Sequence, residues 1–205
     1  MHPLLEHAVH ADREDHAAGH RAGTPAYEQM RERDGTRRAL VHSLLTTGVL
    51  QSAEDFYGAA RLFQHGDDPA EFEQAHQLAL KAADLGHPDA RWLAAAALDR
   101  WLVVQGQPQR YGTQYLSDGV RQRLMDVDPA TTDEERARWN VPPLAEQRRK
   151  AAEATRNHPP IALPPHLPDW YQQALERWQE ADAAEEKDNA AGDGSGPDSK
   201  ARKEP

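Results

Sequence analysis

Cysteine is absent from the 205 residues, which excludes disulfides, thiolate metal sites and cysteine nucleophiles. β-Branched aliphatic residues are almost as scarce, with one Ile and eight Val against 19 Leu and 34 Ala. So thin a supply cannot furnish a sizeable sheet, whereas Ala, Leu, Glu, Arg and Gln favour helix. No apolar run approaches about 18 residues, so no membrane span is expected. The stretch from Met1 to Arg13 is too charged for a signal peptide, and a cytoplasmic location is expected. Positive charge is in deficit: 24 Lys and Arg face 34 Asp and Glu, for a net charge of −10. That balance argues against phosphate-backbone binding, so nucleic acid is not an expected partner.

What is present divides into helix-length blocks. Thr24-Pro25 pairs an N-cap residue with proline at the first helical position, and its block runs towards Gly48. Ser52 caps a shorter block that ends near His65-Gly66. Asp68-Pro69-Ala70-Glu71 is the clearest start, and its helix reaches about Leu85, where Gly86 can take the left-handed cap and Pro88 prevents continuation. From Pro88 to about Val104 the chain is apolar on every face around Trp92 to Leu98, which predicts a central buried helix. Leu116 to Met125 is read as helical, Thr132 caps a short helix ending near Trp139-Asn140, and Pro143 to Arg156 is amphipathic.

The expected fold is therefore all-α, a compact bundle of antiparallel helix pairs over residues 24–156. A polar His-rich segment (1–23), read as a solvated helix, precedes it. A Pro-rich connector (157–168) leads to a Trp-containing helix (169–187) and a tail (188–205) whose Gly, Ser, Asp and Lys content reads as disordered.

If neighbouring helices pack antiparallel, His65 and the end of the helix at Gln105 share one pole of the bundle. Gln64, His65, His76, Asp99, Arg100 and the loop from Gln105 to Gln114 then meet, while His87 falls at the opposite end. Asp99 and Arg100 are the most informative, because charges on an apolar helix cost on the order of several kcal/mol each unless they find partners. They read either as a buried structural network or as part of a site. The loop carries four Gln, a phenol and a hydroxyl in ten positions. Amides both donate and accept, so such a loop can read a polar ligand without net charge, or satisfy its own backbone.

The stretch Gly106-Gln107-Pro108-Gln109-Arg110-Tyr111-Gly112-Thr113-Gln114 resembles the G-x-P-Q-x-Y-G-T-Q signature of an uncharacterised bacterial domain family. Gln64-His65, Asp99-Arg100, Asp128-Pro129, Arg136 and Val141-Pro-Pro-Leu144 fit that family in order, so the resemblance spans roughly 34–156. It implies a shared site containing His65, Asp99, Arg100, Gln109, Tyr111, Thr113, Gln114 and Asp128, without naming a chemistry. The helical blocks are also similar in composition to tetratricopeptide-type helix pairs.

Three functions fit these residues. The first is a polar pocket that recognises a small polar molecule or peptide segment, with Gln109, Thr113 and Gln114 as neutral hydrogen-bonding groups, Arg100 holding an anion and Asp128 beside them. The second is a hydrolase or transferase with His65 as general acid or base, Asp99 orienting it and Tyr111 donating to developing charge. The third is a scaffold that meets a protein partner through the Trp170/Trp178 helix. No cofactor is expected. His7/His10 and His16/His20 have metal-clamping spacing, and His65, His76 and Asp99, or Asp126 and Asp128, could hold a divalent metal, but none of these sets stands out.

Overall fold

The computed structural model describes residues 1–157 and 159–192. Among them are eight helices: α1 (Pro3–Ala17), α2 (Pro25–Thr46), α3 (Ala53–Gln64), α4 (Pro69–Asp84), α5 (Ala90–Val104), α6 (Asp133–Arg138), α7 (Leu144–Asn157) and α8 (Asp169–Gly192). One antiparallel pair, β1 (Tyr115–Ser117) and β2 (Gln122–Leu124), lies between α5 and α6. The fold is all-α apart from this small hairpin. None of the helices is long and apolar enough to cross a membrane.

Side-chain caps set the helix starts where the sequence places them. Thr24 Oγ1 accepts from Tyr27 N, Asp68 Oδ1 from Glu71 N and Thr132 Oγ1 from Glu135 N, each removing one orphan donor. Ser52 and Asp55 form a reciprocal capping box at α3. At the end of α4, Gly86 takes φ +90°, a conformation that the absence of a Cβ permits.

The core forms around α3, α4 and α5, which short loops bring into the most extensive packing of the chain. Phe56, Phe63, Leu78 and Leu93 are buried here, while Ala75, Ala79, Ala82, Ala90, Ala94 and Ala97 have no exposed surface. Alanine at the contacts lets helix axes approach closely, so few bulky residues suffice to exclude water. Helix α5 is not enclosed on all sides, however: Trp92 is 44% exposed.

Helix α1 differs from its expected role. Leu5, Ala8 and Val9 belong to the same core as α3, so the amino-terminal segment packs on the bundle instead of being a solvated helix. Its start is tied down by Asp55, whose oxygens accept from His2 N (2.6 Å), Gln51 N and both Ser52 N and Oγ. Burial opposes the charge on Asp55, but these bonds outweigh it and bring the carboxyl from 3.8 to about 2. The stabilisation is complete above the unfolded pKa and is lost as pH falls towards the folded one. The stability gap between the parent and Asp55→Asn should therefore stay constant above about pH 5 and close between about pH 4 and 2, as read by urea unfolding at each pH.

The segment Leu116 to Met125 is a hairpin and not the expected helix. Asp118 Oδ1 accepts from Val120 N and Arg121 N, and Gly119 takes φ +97°, so a turn interrupts any helical ladder. Helix α8 closes over this hairpin. Ala174 and Trp178 pack with Val103 and Met125, Trp170 and Leu175 pack alongside, and Tyr171 donates to Ser117 O at 2.6 Å. Asp182 pairs with Arg121 and Arg123, and Asp126 with Arg177. The Trp170/Trp178 stripe is thus a docking surface within the chain, which corrects its expected availability to a protein partner. Asp188 to Gly192 continue α8 rather than opening the tail, and the remainder of that tail, 193–205, lies outside the described residues.

Candidate functional site

Asp99 and Arg100 are adjacent on α5 and point about 100° apart, which gives them different neighbours. Asp99 has no exposed surface and faces the loop after α5. Its Oδ1 accepts from Arg110 N (2.7 Å) and Tyr111 N (2.8 Å), and its Oδ2 from Thr113 N (2.9 Å) and Thr113 Oγ1 (2.8 Å). Burial pushes the Asp99 carboxyl up, against the pull of these four bonds. Gln109, equally buried, closes the same loop: Nε2 donates to Gln114 O and Met125 O, and Oε1 accepts from Gln114 N at 2.8 Å.

Tyr111 is buried with Ala95, Val141 and Trp139, and its carbonyl accepts from Arg136 Nε. Burial raises its pKa. Asp128 holds a turn by accepting from Ala130 N. Asp99, Gln109, Tyr111 and Asp128 therefore build the loop, and none of the four lines the cleft described next. The roles expected for Asp99 as the orienter of His65 and for Tyr111 as a donor to substrate are corrected accordingly, because their polar atoms or surroundings are committed to the loop.

Five of the expected residues do converge. Gln64, His65, Arg100, Thr113 and Gln114 line one cleft of about 440 Å³, joined by Arg61, Tyr57, Trp92 and Tyr115. Arg100 Nε donates to Gln114 Oε1 at 3.0 Å and its Nη1 to Gln64 O at 3.2 Å. Gln114 Nε2 in turn donates to Ala96 O and Thr113 Oγ1. Two groups are left over: Arg100 Nη2 makes no hydrogen bond among the described residues, and the buried Gln64 Oε1 has no donor. Burial and the field of Arg31 lower the Arg100 pKa below its usual value. No carboxylate lines the cleft, and none forms an ion pair with Arg61 or Arg100 among the described residues. His76 lies elsewhere, with Nδ1 2.8 Å from Ala94 O, and His87 stacks on Tyr57.

His65 closes α3, and α2 holds its backbone: His65 O accepts from Arg31 Nη1 and Arg38 Nη1, and Gly66 O from Arg31 Nη2. Its ring stacks on His16 of α1 at 3.7 Å between centroids. Burial, then the charges of His16, Arg100, Arg61 and Arg31, push His65 down to about 3, so the imidazole is neutral near pH 7 and too weakly basic for efficient proton transfer there. Behind it lie Asp12 and His16, whose ligand-capable atoms with His65 Nε2 are all within 4.8 Å of one another.

No local spacing in the sequence joins Asp12 and His16 to His65. The available signal was Asp12 at i, i+4 to His16, continuing the buried stripe of Leu5, Ala8 and Val9 on α1. Arg61 of the cleft, one turn before His65, was likewise readable. Comparison with protein-family models, with curated proteins and with solved structures found no match to this chain.

Proposed function

We propose that this is a cytoplasmic binding domain for a small polar molecule carrying an anionic group, a carboxylate or phosphate, together with a hydroxyl or amino donor. The supporting observation is the pairing of unsatisfied groups on one wall: among the described residues Arg100 has a spare guanidinium nitrogen and no carboxylate partner, beside a Gln64 Oε1 that lacks a donor. A cation in a cleft without acidic residues attracts an anion, and a buried acceptor selects a ligand that donates to it. Arg61 adds positive charge, Gln114, itself held by Thr113, fixes Arg100, and exposed Trp92 contributes an apolar wall. The volume suits a metabolite-sized ligand. Catalysis by a His65, Asp99 and Tyr111 set is not favoured, since those three side chains do not face one another across the cleft.

A panel of hydroxy acids, amino acids and phosphate monoesters, each paired with its neutral amide or alcohol, tests this by thermal shift and calorimetry. Anionic members should raise the melting temperature, and their neutral counterparts should bind at least tenfold more weakly. A charge-assisted hydrogen bond contributes about 1.5–3 kcal/mol, so Arg100→Gln should lose roughly tenfold to a hundredfold in affinity while retaining its circular dichroism. Equal affinity for neutral and anionic members, or for the parent and Arg100→Gln, would overturn the proposal.

A further inference from the structure

Asp12 is an unpaired acid inside a network that pairs its other acids. Asp15 is held by Arg33 and Arg37, Asp34 by Arg31 and Arg37, Asp67 by Arg31 and Arg38, and Glu71 by Arg38. Four carboxylates thus share four guanidiniums, and the fifth, Asp12, which is 1% exposed, forms no ion pair with an arginine among the described residues. Among the described residues neither of its oxygens has a hydrogen-bond partner, and neither has His16 Nε2. An unpaired buried carboxylate is costly unless it takes up a proton or a cation.

Two imidazole nitrogens face this carboxylate. His16 Nε2 lies 3.6 Å from Asp12 Oδ1, and His65 Nε2 lies 3.7 Å from Asp12 Oδ2. These separations are too long for hydrogen bonds. They do suit ligands around one ion: zinc bonds of about 2.0–2.2 Å in a tetrahedral shell place ligand atoms about 3.3–3.6 Å apart. We propose that Asp12, His16 and His65 form a mononuclear site for a divalent transition metal of the zinc class, with two imidazoles and one carboxylate as ligands.

Three protein ligands of this kind leave a coordination position for water or another ligand. Imidazole favours zinc, cobalt, nickel or iron over magnesium and calcium, which prefer oxygen. Asp34 Oδ2, fixed by Arg31, lies 3.3 Å from the same His16 Nε2, so it adds negative charge beside the ion rather than orienting the ring from behind. The stacked rings must splay for both lone pairs to reach one ion, and the cleft beside His65 gives that ring room to turn. The inference stands on the α1–α3 contact and does not depend on what the cleft binds.

Full-length protein stripped with a chelator and titrated with Zn²⁺ or Co²⁺ alone tests it. The expected result is one ion per chain, visible d–d bands of low-coordinate cobalt, and at least tenfold weaker binding in both Asp12→Asn and His65→Gln. His65 is partly exposed at a helix end, so His65→Gln carries the test even if Asp12→Asn fails to fold. The double variant His7→Gln/His10→Gln removes two exposed surface imidazoles and should bind as the parent does. Absence of saturable binding would overturn the site, as would binding that survives His65→Gln but disappears with His7 and His10.

Discussion

Asp99→Ala is expected to cost about 3–5 kcal/mol of unfolding free energy, because it removes the shared acceptor of several loop donors at once. The carboxylate organises four donors from a loop that is otherwise short of regular structure. Without it, Tyr111 N, which is buried, has no acceptor, and each buried donor left unsatisfied costs about 1–3 kcal/mol. Asp99→Asn should fall between the parent and Asp99→Ala, since it keeps the shape but turns an amino group towards the loop's own donors. Guanidinium unfolding checks both. A loss below about 1 kcal/mol for Asp99→Ala would mean that the loop holds itself without α5.

Leu5→Ala should destabilise by about 2–5 kcal/mol, because the side chain is fully enclosed and its removal leaves a cavity between α1 and the bundle. The neighbouring Leu4 is 55% exposed, and Leu4→Ala should stay within about 0.5 kcal/mol of the parent. The contrast between adjacent leucines measures the docking of α1. Were α1 a solvated helix, both substitutions would be nearly silent.

The difference between these residues also shows what was legible in the sequence. Helix starts were readable at Thr24, Ser52, Asp68 and Thr132 because a cap is a local interaction between a side chain and a backbone group three residues on. The convergence of His65, Arg100 and Gln114 was readable as well, since short connections force consecutive helices to alternate direction. The burial of α1 was not. Its apolar stripe of Leu5, Ala8 and Val9 is narrow, and its Asp15 is held by arginines of α2 that no local pattern announces. The hairpin at Tyr115–Leu124 was missed for a similar reason: its few apolar residues are stabilised by α7 and α8, distant in sequence.

Within the candidate site, residue type could be read but assignment could not. Gln109 and Gln114 are chemically identical and five positions apart, yet one is sealed under the loop and the other borders the cleft. Asp99 and Arg100 divide in the same way. Which of two like groups faces a ligand depends on the path of the loop, and that path is set by the Asp99 carboxylate and by Arg136 from a later helix.

The docking of α1 against α3 has a consequence for how the polypeptide is made. α1 leaves the ribosome before the segment that will cover it, and at about 5–20 residues per second that delay is on the order of seconds. During it, Leu5 and Asp12 remain in water, where Asp12 incurs no desolvation cost. The α3–α4–α5 hairpins can assemble from contacts close in sequence, whereas α1, synthesised before them, has to wait for its berth.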